Sequence, residues 1–119
     1  MDIRFHLSHR FYRSVKCSKH NLSVAIDTIQ KVLILQPDRG VPIPGHSKLR
    51  KVRVGVPGIG KSGGYRLIYR QALIEETIYI SLLEIFFKSE SADLSKKEYD
   101  TLLSESNNIL ENHLRFDWI

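Results

Sequence analysis

Residues 48–70, KLRKVRVGVPGIGKSGGYRLIYR, place two strand-like runs rich in Lys and Arg on either side of a glycine-rich connector. Val, Ile, Leu and Tyr favour extended backbone, and the glycines between the runs favour a reversal, so the stretch predicts an antiparallel pair. Side chains alternate along a strand, which puts Val52 and Val54 on one face and Lys51 and Arg53 on the other. Arg66 and Arg70 share a side of the second run by the same parity. No acidic residue occurs between Lys48 and Arg70, so this surface is expected to meet an anion.

The charge distribution agrees. Residues 1–70 hold 14 Lys and Arg against 3 Asp and Glu, an excess of 11 positive charges, whereas residues 71–119 hold 4 against 10, an excess of 6 negative ones. A basic surface of this kind attracts phosphate backbones through counterion release. At 119 residues and 42% hydrophobic content the chain suits one domain, residues 1–119, around one compact core. Cys17 is the lone cysteine, which excludes an intramolecular disulfide and suits a reducing compartment, where it would be a packed, inert thiol. The start, MDIRFHLSHR, carries charges where a signal peptide needs an apolar run, and no segment approaches a bilayer span. A cytoplasmic protein with no membrane contact is expected.

The remaining elements follow from periodicity. Ile3, Phe5 and Leu7 alternate as a short edge strand. Ser8 or His9 opens a short helix through Cys17 with Phe11, Val15 and Tyr12 on one side. From Asn21, residues Leu22, Ala25, Ile26, Ile29 and Leu33 recur at helical spacing until Gln36-Pro37 stops them. Residues 37–45, with Gly40, Pro42, Pro44 and Gly45, read as a rigid loop. Residues 78–87 are the most apolar run and read as a central strand buried on both faces, reached by a turn over residues 73–77. Ser95-Lys-Lys-Glu98 spells a capping box, followed by Tyr99, Leu102, Leu103, Leu110 and Leu114 on one helical face. The fold expected is α+β: a short strand, two helices, a three-stranded antiparallel sheet and a C-terminal helix.

Two motifs point elsewhere and fail on context. Gly55-Val-Pro-Gly-Ile-Gly60-Lys61-Ser62 spells the phosphate-binding pattern GxxxxGK[ST]. A working loop of that type opens a helix whose N-terminal amides hold the phosphate, and here strand-like YRLIYR follows. Histidines 6, 9, 20, 46 and 113 lack the spacing and companions of a zinc site, and no G-x-S-x-G elbow supports Ser-His-Asp chemistry. No cofactor or metal is expected.

In order, KLRKVRV, GKSGGYRLIYR and an apolar strand ending FFKSESADLS before an amphipathic helix resemble the RelE/ParE toxin superfamily, most closely its HigB-type members. The likeness runs from about Gly40 to Leu103. It implies a RelE-like fold and a toxin that cleaves mRNA in the ribosomal A site, with a cognate antitoxin, the ribosome and mRNA as partners. Lys51 and Arg53 match the paired basic positions of the family's first catalytic strand, Arg66 matches the arginine of the GYR segment, and Lys88 matches the basic residue that ends the last strand. These four are the candidate catalytic residues, with Arg50, Lys61, Tyr65 and Arg70 expected to contact RNA. Crowded positive charge suits Lys51 as general base, with Arg53 and Arg66 on the phosphate and Lys88 as proton donor or a further phosphate contact. The sequence departs from the family where some relatives carry a base-stacking tyrosine beyond the last strand. Tyr65, Phe86 or Phe87 would have to serve instead.

Two other functions fit the same fold. A ParE-like inhibitor of DNA gyrase would act by protein contact and has no need of the Lys51, Arg53, Arg66, Lys88 cluster. A non-catalytic nucleic-acid-binding relative would keep the basic surface and break no bond.

Overall fold

The computed structural model describes residues 1–59, 64–88 and 93–119. Its elements are β1 Asp2–Leu7, α1 His9–Lys16, α2 Ser23–Leu35, β2 Val41–Ile43, β3 His46–Val54, β4 Tyr65–Ile74, β5 Thr77–Phe87 and α3 Lys96–Glu111, with a short 3-10 turn at His113–Arg115. The expected α+β class holds, with one correction. The sheet has five strands in the order β1-β5-β4-β3-β2, because the loop expected over residues 37–45 contains β2, paired antiparallel to β3. Pro42 sits on this outermost strand, where a missing N–H costs least. Pro44-Gly45 makes the turn into β3, with Gly45 at φ 79.

β3, β4 and β5 form an antiparallel meander, and β1 joins β5 in parallel. The expected edge position of β1 is correct. Its outer side is met by Ile119, whose backbone exchanges two 2.8 Å hydrogen bonds with Phe5. Trp118 secures this segment by donating its Nε1–H to the His113 carbonyl at 2.7 Å and packing its ring on Tyr79 and His6.

Alternation along the strands makes two cores, one on each face of the sheet. Phe11 of α1 and Leu22, Ala25, Ile29 and Leu33 at α2 pack on Val52, Val54, Leu67, Tyr69, Ile80 and Leu82. On the other face Tyr99, Leu102 and Ile109 of α3 pack on Leu49, Ile68 and Leu83. Burial of each large apolar side chain contributes roughly 1.5–3 kcal/mol. β5 serves both layers, with Ile80, Ser81, Leu82 and Leu83 all at 0% exposure. A bulge opposite Ile68/Tyr69 places an extra residue on β5 beside Glu84.

Helix termini explain the helix boundaries. Ser8 Oγ accepts the Phe11 N–H, and Ser95 and Glu98 form the expected capping box at α3. The inner face of α3 differs from expectation, since Tyr99, Leu102, Ser106 and Ile109 are buried while Leu114 lies beyond the helix and is exposed. Tyr12 faces outward on α1, and Cys17 is exposed rather than packed. Among the described residues no helix is long and apolar enough to cross a membrane.

Candidate nucleic-acid interface

α3 covers only part of its sheet face. Along β3 this face runs from Leu49, fully buried under the helix, through Lys51, whose side chain is 27% exposed, to exposed Arg53. On β4 it runs from buried Ile68 to half-buried Arg66. The uncovered end of the face is therefore cationic, because the residues beyond the helix's reach are those that parity points the same way.

Register brings the expected residues together. Arg53 lies opposite Arg66, and Arg66 lies opposite Phe86 of β5, so the three form one rung. Lys51 occupies the next rung, opposite Ile68. Lys88 is two residues beyond Phe86, is exposed, and is tied to the start of β4 by a 3.1 Å hydrogen bond from its N–H to the Gly64 carbonyl. Lys51, Arg53 and Arg66 thus share one end of one sheet face, and the backbone of Lys88 lies at the same end of the sheet. Directly opposed strand residues place their Cβ atoms about 5 Å apart, close enough for Arg53 and Arg66 to bracket one anion.

Three expected RNA contacts are placed elsewhere. Arg50 has the parity of Val52, and its Nη1 donates to the carbonyls of Gly40 at 2.6 Å and Asp38 at 3.2 Å. It anchors the chain ahead of β2. Arg70 is on the α3 side, where its Nη1 donates to Ser106 Oγ at 2.9 Å and to Asn107 Oδ1, joining β4 to α3. Burial pulls its guanidinium below the ordinary value, against an opposing push from Glu111. Tyr65 is 3% exposed, packs on Phe87 with ring centroids 5.0 Å apart, and pairs its hydroxyl with His20 Nδ1 at 2.9 Å. It is a core residue and offers no platform for a base. Phe87 belongs to that same core, whereas half-buried Phe86 shares the arginine rung. Lys61 lies outside the described residues, as do residues 89–92.

Among the described residues, one acidic group lies against Lys51. Asp93 Oδ1 lies 3.2 Å from Lys51 Nζ and accepts hydrogen bonds from the Leu94 N–H at 2.8 Å and from the Tyr99 hydroxyl. Burial pushes the Asp93 carboxyl up, but the bonds from Tyr99, Leu94 and Lys51 prevail and hold it below the usual range. Burial, reinforced by the carboxylate, pushes the Tyr99 phenol well above its ordinary value. The pairing of Asp93 with Lys51, 42 residues away, carries no local signal.

The glycine connector bears on the phosphate-loop motif as well. β4 begins at Tyr65 and runs antiparallel to β3, so a strand follows the motif, whose Gly60, Lys61 and Ser62 lie outside the described residues.

A family model described as the RelE toxin of the RelE/RelB toxin–antitoxin system matches residues 4–114, nearly the whole chain. The chain belongs to the RelE toxin family. The RelE-family fold is also seen in a solved structure to which this chain is similar, the toxin RelE of E. coli as an arginine double mutant in the free state. The two share 17% identity with a TM-score of 0.52, over 89% of this chain and 98% of that one. At that identity the likeness concerns the fold alone.

Proposed function

We propose that this RelE-family toxin is a ribosome-dependent endoribonuclease, one domain that acts in the cytoplasm by cutting mRNA in the A site and is restrained by a cognate antitoxin. The observation that carries the reading is the placement of Lys51, Arg53 and Arg66 at one end of one sheet face, with Lys88 at the same end of the sheet. Inhibition of a protein target by contact does not require such a cluster.

In the reaction proposed, the 2′-oxygen attacks the adjacent phosphorus, its proton leaves to water, and the P–O5′ bond breaks to give a 2′,3′-cyclic phosphate and a 5′-hydroxyl. The pentacovalent phosphate gathers negative charge, and fixed cations stabilise it more in the transition state than in the ground state. Arg53 and Arg66 supply that charge from one rung. Lys51 was expected as the base. Its pairing with Asp93 recommends the opposite role, an ammonium that protonates the departing 5′-oxygen, with Lys88 as a further phosphate contact. The ribosome would hold the RNA backbone in line for attack, which so shallow a surface cannot do alone.

The test is induction of wild type and of a Lys51→Ala, Arg66→Ala double variant in bacteria, with mRNA 5′ ends mapped soon afterwards. Translation-dependent cuts inside codons from wild type and none from the folded variant are expected. Growth arrest without such cuts, or a variant as toxic as wild type, would sink the proposal.

A further inference from the structure

We infer that Asp93 and Tyr99 are positioning residues for Lys51: a phenol rooted under α3 fixes a carboxylate, and the carboxylate fixes the ammonium beside the scissile phosphate. The inference rests on the ribonuclease reading above and adds two residues to it.

The geometry is a relay from core to surface. Tyr99 is 5% exposed, in the first turn of α3, a helix whose start is set by the capping box of Ser95 and Glu98. Its hydroxyl and the Leu94 N–H both donate to Asp93 Oδ1, the oxygen that faces Lys51 Nζ at 3.2 Å. Asp93 is half in solvent, with 52% side-chain exposure, and these two donors help to hold its carboxylate in place. A lysine has four rotatable bonds and on an open sheet face would sample many positions. Anchored through Asp93 it keeps one. Reacting groups displaced by about 1 Å lose roughly a hundredfold in rate, so a fixed Nζ matters even though neither Asp93 nor Tyr99 touches RNA.

In the step assigned to Lys51, the Nζ–H bond breaks as its proton passes to the 5′-oxygen, whose bond to phosphorus is breaking. The amine then regains a proton from water while still beside Asp93.

The experiment measures cleavage of an A-site codon on reconstituted translating ribosomes by wild type, Asp93→Asn, Asp93→Glu, Tyr99→Phe, Lys51→Ala and Asp100→Asn. Asp100 serves as control because it lies on the same helical turn but pairs with His46 and Lys96. Asp93→Asn and Tyr99→Phe should lower kcat roughly tenfold to a hundredfold with little change in KM. Asp93→Glu should restore part of the rate, and Asp100→Asn should match wild type. If Asp93→Asn and Tyr99→Phe cut with wild-type kcat while Lys51→Ala is inactive, the positioning role is wrong and the ribonuclease reading survives. If wild type itself cuts nothing, both fall. Should Tyr99→Phe prove unfolded by thermal denaturation, the surface variant Asp93→Asn decides alone.

Discussion

Arg53 and Arg66 stand directly across from one another on neighbouring strands, two guanidinium groups on one rung of the β3–β4 ladder. Like charges opposed in this way cost the fold about 0.2–1 kcal/mol. Removing one cation of the pair relieves that repulsion. Arg66→Gln should therefore raise the urea midpoint slightly while reducing mRNA cleavage strongly. Loss of both together would contradict the opposition, and a rise without loss of cleavage would remove Arg66 from the site.

Tyr69 and Gly40 form a second relationship, one that supports β3 from behind. The Tyr69 hydroxyl donates to the Pro37 carbonyl at 2.7 Å and accepts the Gly40 N–H at 2.9 Å. A Cβ at Gly40 would sit 2.8 Å from Tyr69 Cε1 and 3.0 Å from the Lys51 carbonyl. Gly40→Ala should cost about 1–3 kcal/mol by overpacking, and Tyr69→Phe about 1–3 kcal/mol through two polar groups left unpaired. Because the two changes disturb one contact, their denaturation energies in the double variant should sum to less than the separate losses.

Glu84 gives a pH dependence with a definite sign. Burial raises its carboxyl above the usual glutamate range, and hydrogen bonds from Ser14 and the Ile85 N–H only partly offset this. A carboxyl with a raised folded value favours the folded state while protonated, and that contribution is lost as pH rises through the folded value. Glu84→Gln keeps an oxygen for both donors and removes the charge. Its stability relative to wild type should grow from acid toward neutral pH in urea denaturation. A constant difference across that range would refute the assignment.

The capping box at α3 links stability to the site. Ser95→Ala removes the acceptor for the Glu98 N–H at 3.1 Å and should cost about 0.5–2 kcal/mol. Fraying there loosens the turn that carries Tyr99, so cleavage should fall by more than the unfolded fraction accounts for. Thermal melts alongside cleavage assays on one preparation would separate the two effects.

What could be read from the sequence was local in origin. The spacing of Leu22, Ala25, Ile29 and Leu33, the Ser95–Glu98 box and the alternation of Lys51 and Arg53 with Val52 and Val54 each depend on a few neighbouring residues, and each reappears in the fold. β2 was missed because Val41, Pro42 and Ile43 form three residues of strand around a proline, and its ladder is supplied by β3. The contacts of Arg50, Arg70 and Tyr65 escaped sequence reasoning for the same reason in reverse. Their partners are Gly40, Ser106 and His20, and nothing near them in the chain announces those contacts. On α3 the buried serine at position 106 interrupts the apolar pattern because it serves Arg70 rather than the core.

The parallel pairing of β1 with β5 joins residues 2–7 to residues 77–82. β1 is synthesised early, yet it has no edge to join until β5 has emerged and turned back on β4. Closing so long a loop is entropically costly and slow compared with closing a hairpin. The β3–β4 hairpin, which carries the arginine rung, meets no such delay. The cationic face can therefore take shape on a nascent chain while the strand made before it is still waiting for its place.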